Sequence, residues 1–255
     1  LTALGFAAPD AALRHLEALT AGVSRRAAIQ RTLLPVMLQW FADAPEPDAG
    51  LLAFRQVSEA LGTTPWYLRL LRDEGITAER LARVLASSRF VVDLLRRAPE
   101  AVAMLGDDEG LRPRTREQLE NEMSAAAGRH DDPVAGISTV RGIRRRELFR
   151  VAAADVLGLV DVDTVCEALT DIAAATLSSG LIVATRAVEA QRRRTLPARL
   201  AVVAMGRFGG HEMGYGSDAD VMFVHEPVEG ADEHEATESA TAVGSELRRL
   251  LALPA

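Results

Sequence analysis

Two aspartates one residue apart, Asp218 and Asp220, open an apolar run that follows a glycine-rich loop, in the stretch GRFGGHEMGYGSDADVMFVHEP at residues 206–227. Side chains alternate along a strand, so residues i and i+2 share a face. A strand beginning here points both carboxylates the same way, roughly 7 Å apart. Mg2+ is a hard cation usually held by one or two carboxylates plus substrate phosphates, and two-metal sites for phosphoryl chemistry use such pairs. The run at 200–205 reads as a preceding strand. Gly209 and Gly210 lack a Cβ, so the loop between the strands turns sharply and lets phosphate oxygens approach backbone N–H groups. The sequence therefore predicts metal-assisted chemistry on a nucleoside triphosphate. Asp218 and Asp220 are its metal ligands, Gly209 and Gly210 its phosphate contacts through their amides, and Ser217 an assisting hydroxyl.

Each part has a plainer reading. A Gly-Gly pair between apolar runs is a turn signal, and Gly214 and Gly216 make turning easier still. An Asp-x-Asp at a strand mouth also occurs as a solvated strand end. Yet carboxylates leading into a run as apolar as Val221, Met222, Phe223 and Val224 need partners or metal. A dinucleotide fingerprint is excluded because it needs a helix directly after its glycines. Only seven residues, two of them glycine, separate Gly210 from Asp218. A Walker-type loop needs a lysine, and the chain has none.

These residues carry a resemblance. The run resembles the Gly-Gly to Asp-x-Asp signature of the DNA polymerase β-like nucleotidyltransferases, and in detail it is similar to the glutamine synthetase adenylyltransferase family. That family's Gly-x-x-Gly-Gly is followed here by Glu212, Tyr215, Ser217, Asp218 and Asp220. Upstream, SRFVVDLLRRAPE (88–100) and RRRELFRVAAADVLG (144–158) are similar to its helical segments, and the opening LTALGFAAPDAALRHL resembles the linker between its two catalytic halves. The resemblance implies an enzyme that transfers AMP from ATP to a tyrosine hydroxyl of glutamine synthetase, with Mg2+, and whose other half removes AMP by phosphorolysis. A linker-like opening assigns residues 206–227 to the second, AMP-attaching half.

The resemblance also implies a third carboxylate on a later strand. A phenol with a pKa near 10 is mostly protonated at neutral pH, so a base or metal must help it attack. After Val224 the chain offers His225, Glu226, Pro227, an acidic stretch and a helix-like close, with no second acidic strand. The expectation is a chain that stops inside its catalytic domain and is inactive alone. Two rival readings stand beside this one. The helices form a regulatory module that senses glutamine or a PII signal protein, or the domain modifies another acceptor.

The elements that must position the site are mainly helical. Apolar residues make up 48% of the 255, largely alanine and leucine, whereas aromatics are only 4%, which excludes a base-stacking platform. All 29 basic residues are arginine and the net charge is −7, against broad nucleic-acid binding. Cys166 is the single cysteine, so no disulfide framework or multi-cysteine metal site exists. No uncharged apolar run of roughly 18 residues and no signal pattern appears, so the expectation is a cytoplasmic bacterial protein without a membrane partner. Helices are predicted from Asp10 to Leu19 and from Ser24 to Phe41 with Pro35 kinking or dividing the second, then a loop over 44–50. Leu51 to Leu61 follows, stopping at Gly62, and Pro65 opens the next helix. One apolar stripe runs from Leu81 to Leu95. Loops are read at 106–113 and 128–133, a solvated face at Arg144–Arg146, a buried Asp155, and a helix from Asp163 to Gln191. The fold class is mainly α with a C-terminal α/β part, a helical array followed by the opening of a polymerase β-like nucleotidyltransferase domain. Its segments are 1–74 (helical linker or regulatory region), 75–195 (helical region before the core) and 196–255 (incomplete core).

Overall fold

The computed structural model describes residues 1–62 and 64–253. It divides into two compact units, one formed by 1–113 with 148–161, the other by 114–147 with 162–255. The boundaries read from sequence at 74/75 and 195/196 fall inside these units. Contacts group the chain differently because one long helix, Pro133–Val156, contributes to both.

The first unit is helical: α1 (Pro9–Thr20), α2 (Arg25–Ala42), α3 (Pro47–Leu61), α4 (Pro65–Asp73), α5 (Gly75–Ser87), α6 (Arg89–Arg97) and the short α7 (Asp108–Leu111). Local chemistry explains most starts. Ser24 accepts from the Ala27 amide, and prolines at the first turns of α3 and α4 need no amide partner. Helix α1 differs, since Asp10 falls inside its first turn and the N-cap is Ala8. The carboxylate of Asp48, on α3, accepts from the Ala7 and Ala8 amides instead.

Several expectations need correction. Pro35 does not divide α2, which runs unbroken to Ala42. The 44–50 loop shrinks because α3 starts at Pro47. Gly50 there lets the helix approach α5 so closely that a Cβ would lie 2.6 Å from the Ala86 Cβ. The stripe from Leu81 to Leu95 belongs to two helices, because Ser88 turns extended and its hydroxyl caps α6. Leu111, in the supposed exposed loop, is buried on α7. Asp155 is exposed rather than buried, at the penultimate position of its helix. Phe41, Phe54 and Tyr67 are fully buried, with Ser58 hydrogen-bonded to the Tyr67 hydroxyl at 2.9 Å.

The second unit contains α8 (Arg116–Ala127), α9 (Pro133–Val156, to Glu147 in this unit), α10 (Val162–Arg192), β1 (Ala198–Ala204), α11 (Gly206–Gly209), β2 (Val221–Pro227) and α12 (Glu233–Leu251). Thr115 and Gln118 form a reciprocal capping box at α8. Helices α8 and α12 both pack on α10. Gly180 makes this possible, since a Cβ there would lie 2.9 Å from Leu247. The arginines read as a solvated face are partly internal. Arg146 donates to both oxygens of Glu122 at 2.8 and 2.9 Å and to the buried Glu147 at 3.0 Å.

Helix α10 is long and apolar enough to cross a membrane by length and composition, but 67% of that window is buried within the chain. Such burial marks the core helix of a folded unit.

Strands β1 and β2 pair antiparallel, from Ala198 opposite Pro227 to Ala204 opposite Val221. Ala198 and Leu200 cluster with Ala236 and Ala240 of α12, so one face of the sheet packs inward. A mainly helical chain with a small antiparallel sheet near its C-terminus is the observed architecture.

Candidate functional site

The glycine loop leaves the end of β1 and returns at the start of β2, so the antiparallel ladder brings its two ends together. The ladder runs one step past the strands, with the Met205 amide donating to the Asp220 carbonyl at 2.9 Å. Asp218 and Asp220 therefore stand just before β2 rather than on it. Both are exposed, and among the described residues neither carboxylate has an ion-pair or hydrogen-bond partner. Asp220 leans over the loop entrance. Its Oδ2 lies 3.3 Å from where a Cβ on Gly206 would be, and Gly206 has φ +52°, where L side chains are strained.

From Gly206 the chain makes the single turn α11. Gly209 is sterically required, because a Cβ there would sit 2.6 Å from the Ala204 carbonyl oxygen. Gly210 is not, its nearest neighbour being the Gly206 oxygen at 3.4 Å. The two amides read as phosphate donors point inward in this conformation, Gly209 to the Met205 carbonyl at 2.9 Å and Gly210 to the Gly206 carbonyl at 3.0 Å. Ser217 braces the loop. Its Oγ accepts from the Gly214 amide at 2.9 Å while its own amide donates back to the Gly214 carbonyl at 3.1 Å. Phe208 and Met213 are buried and anchor the loop on the unit.

Two exposed carboxylates without protein partners fit a hard cation that keeps waters and takes its remaining ligands from phosphates. No group of three or more His, Cys, Asp or Glu among the described residues makes a closed metal cage. Mg2+ suits this donor set better than a structural zinc, which needs four protein ligands.

Sequence reasoning missed Asp171. It sits half-buried on α10, where burial pushes its carboxyl above the usual range against a backbone hydrogen bond from Arg116. His211, noted only as a neighbour of the loop, lies close enough to act on it electrostatically. His211 also has φ +60°. The only sequence signal for Asp171 was an acid among alanines on the half-buried side of a core helix.

Comparison with known proteins adds three findings. A family described as Glutamate-ammonia ligase adenylyltransferase matches residues 78–255. The bifunctional glutamine synthetase adenylyltransferase/adenylyl-removing enzyme of Streptomyces coelicolor is 59% identical over 270 residues, covering 100% of this chain and 27% of that protein. The proteins of that name from Nocardia farcinica and Mycolicibacterium smegmatis are 50% and 47% identical, again over 100% of this chain and 26% of theirs. The chain thus spans about a quarter of the length of these curated relatives.

Proposed function

The chain belongs to the glutamate-ammonia ligase adenylyltransferase family, and from that premise we propose that residues 206–227 are the nucleotidyl-transfer site of an enzyme that moves AMP from ATP to a tyrosine hydroxyl of glutamine synthetase. The observation that carries the reading is the unpaired state of Asp218 and Asp220 beside a turn that glycines hold tightly against the strand end. Carboxylates with no arginine to neutralise them keep their charge for a ligand cation.

Asp218 and Asp220 would hold Mg2+, which would supply charge neutralisation for the phosphates of the bound nucleotide. Gly206 leaves room for the Asp220 carboxylate, and Gly209 fixes the turn against β1. Gly209 lets the turn lie against β1, Gly210 leaves the outer backbone clear of a side chain so that phosphates pass close to it, and the Ser217 hydroxyl keeps its proton available as a donor. A further acid that helps deprotonate the tyrosine is part of the family reading, as are the assignment to the AMP-attaching half, the polymerase β-like core and a cytoplasmic bacterial setting. Glutamine and a PII protein are the proposed effectors.

The test is Asp218→Asn and Asp220→Asn in the full-length enzyme, followed by AMP incorporation into glutamine synthetase. Loss of several kcal/mol of charge stabilisation corresponds to at least about a 100-fold drop in rate, with an unchanged circular dichroism spectrum. Retention of most activity by either variant removes these residues from the metal site.

A further inference from the structure

Within the second unit a slot of about 220 Å3 lies between α10, β1 and the glycine turn. Small residues shape this partly open cleft, Ala174 on α10, Ala204 on β1 and Gly209 at the turn, while Leu177 adds apolar surface. Polar groups line it as well, Asp171 of α10 and His211 beyond the glycine turn among them. Asp171 Oδ2 accepts the Arg116 amide at 3.2 Å, and no hydrogen bond occupies its Oδ1 among the described residues. His211 also lines the slot, and its ring has no hydrogen-bond partner among them. A left-handed backbone at a residue other than glycine costs on the order of 1 kcal/mol and tends to be kept at functional sites.

A ligand for this slot has flat apolar faces and an edge carrying a donor for a carboxylate and a partner for an imidazole. The volume is below the roughly 300–1,000 Å3 that encloses a drug-sized molecule, so a base enters but not a whole nucleotide. The slot adjoins Gly209 and His211, and Asp220 meets the turn at Gly206, about 4.5 Å from Gly209 along three helical steps of 1.5 Å each. A ribose and its phosphates bridge that distance. Resting on the nucleotidyl-transfer reading above, we infer that the slot seats the aminopurine base of the nucleotide, with Asp171 accepting from its exocyclic amino group and the His211 ring bonding a ring nitrogen.

The experiment is calorimetric titration of the full chain with adenosine, which has no phosphates, and separately with Mg2+ and inorganic pyrophosphate. Ala174→Trp fills the slot, and Asp171→Ala removes the acceptor without adding bulk at the wall. Both should weaken adenosine at least tenfold and leave pyrophosphate within twofold, with unchanged circular dichroism. Adenosine binding that is absent in the unaltered chain, or equal in a folded Ala174→Trp or Asp171→Ala variant, overturns the inference. Asp218→Asn separates it from its premise. Loss of pyrophosphate with adenosine intact supports both, whereas pyrophosphate binding that persists in Asp218→Asn sinks the metal site and leaves the base slot standing.

Discussion

Adjacent glycines in the loop should respond to alanine in opposite ways. At Gly209 the added Cβ would stand 2.6 Å from the Ala204 carbonyl oxygen, and real Cβ contacts essentially never fall below 3.0 Å. The turn must therefore retreat by at least about 0.4 Å, stretching the 2.9 Å bond from the Gly209 amide to Met205. Overpacking of this kind costs about 1–3 kcal/mol, which lowers the melting temperature by roughly 4–8 °C for a 2 kcal/mol loss in a chain of this size. Displacement by half an ångström also misaligns the turn with Asp220, and since a 1 Å error costs on the order of 100-fold in rate, about tenfold is expected here. Gly210 has φ −84° and its nearest contact is an ordinary 3.4 Å. Alanine there restricts the unfolded chain and should be neutral or stabilising by up to about 1 kcal/mol. Thermal unfolding of both variants, with transfer activity of the full-length enzyme, decides the matter. Equal damage at the two positions, or an unaffected Gly209→Ala, would refute the packing argument.

Two further outcomes concern stability. Burial raises the Glu122 carboxyl, but hydrogen bonds from Arg146 and Arg114 outweigh it and hold Glu122 below its usual value. A depressed carboxylate contributes stability that is present above the unfolded value near 4.5 and lost as pH falls through the lower folded one. Melting temperature should therefore drop as pH falls below about 4.5, and Glu122→Gln should flatten that part of the profile; an unchanged slope would argue against the network. Gln30 is fully buried with neither side-chain atom hydrogen-bonded among the described residues. Gln30→Met should raise stability by about 1 kcal/mol or more, because an unsatisfied buried amide costs about 1–3 kcal/mol; destabilisation in urea titration would reveal a partner for that amide.

Local signals in the sequence were read well where the determinant was local. Ser24 and Pro65 mark helix starts by their own chemistry, α3 ends at Gly62 although that residue keeps a right-handed backbone, and α10 follows from its apolar spacing. The start of α1 was not legible because its cap is Asp48, some forty positions away. Ser88 illustrates the reverse case, a local cap hidden by a hydrophobic stripe that continues across it. At the site, the acidic pair and the glycines were visible from residue types and spacing. The division of labour between Gly209 and Gly210 was not, since it depends on where the Ala204 carbonyl points. Asp171 was equally out of reach, because only the fold brings α10 beside the turn.

The loop is riveted by two side chains, Phe208 and Met213, while the backbone between and beyond them faces solvent. Gly216 stands farther along, where an added Cβ would touch nothing within 4 Å. That separation of anchor from free surface makes position 216 a natural seat for a spectroscopic reporter. With Cys166 the sole other thiol, a cysteine introduced there would carry a fluorophore beside the proposed nucleotide site without loosening the bolts that keep the loop in place.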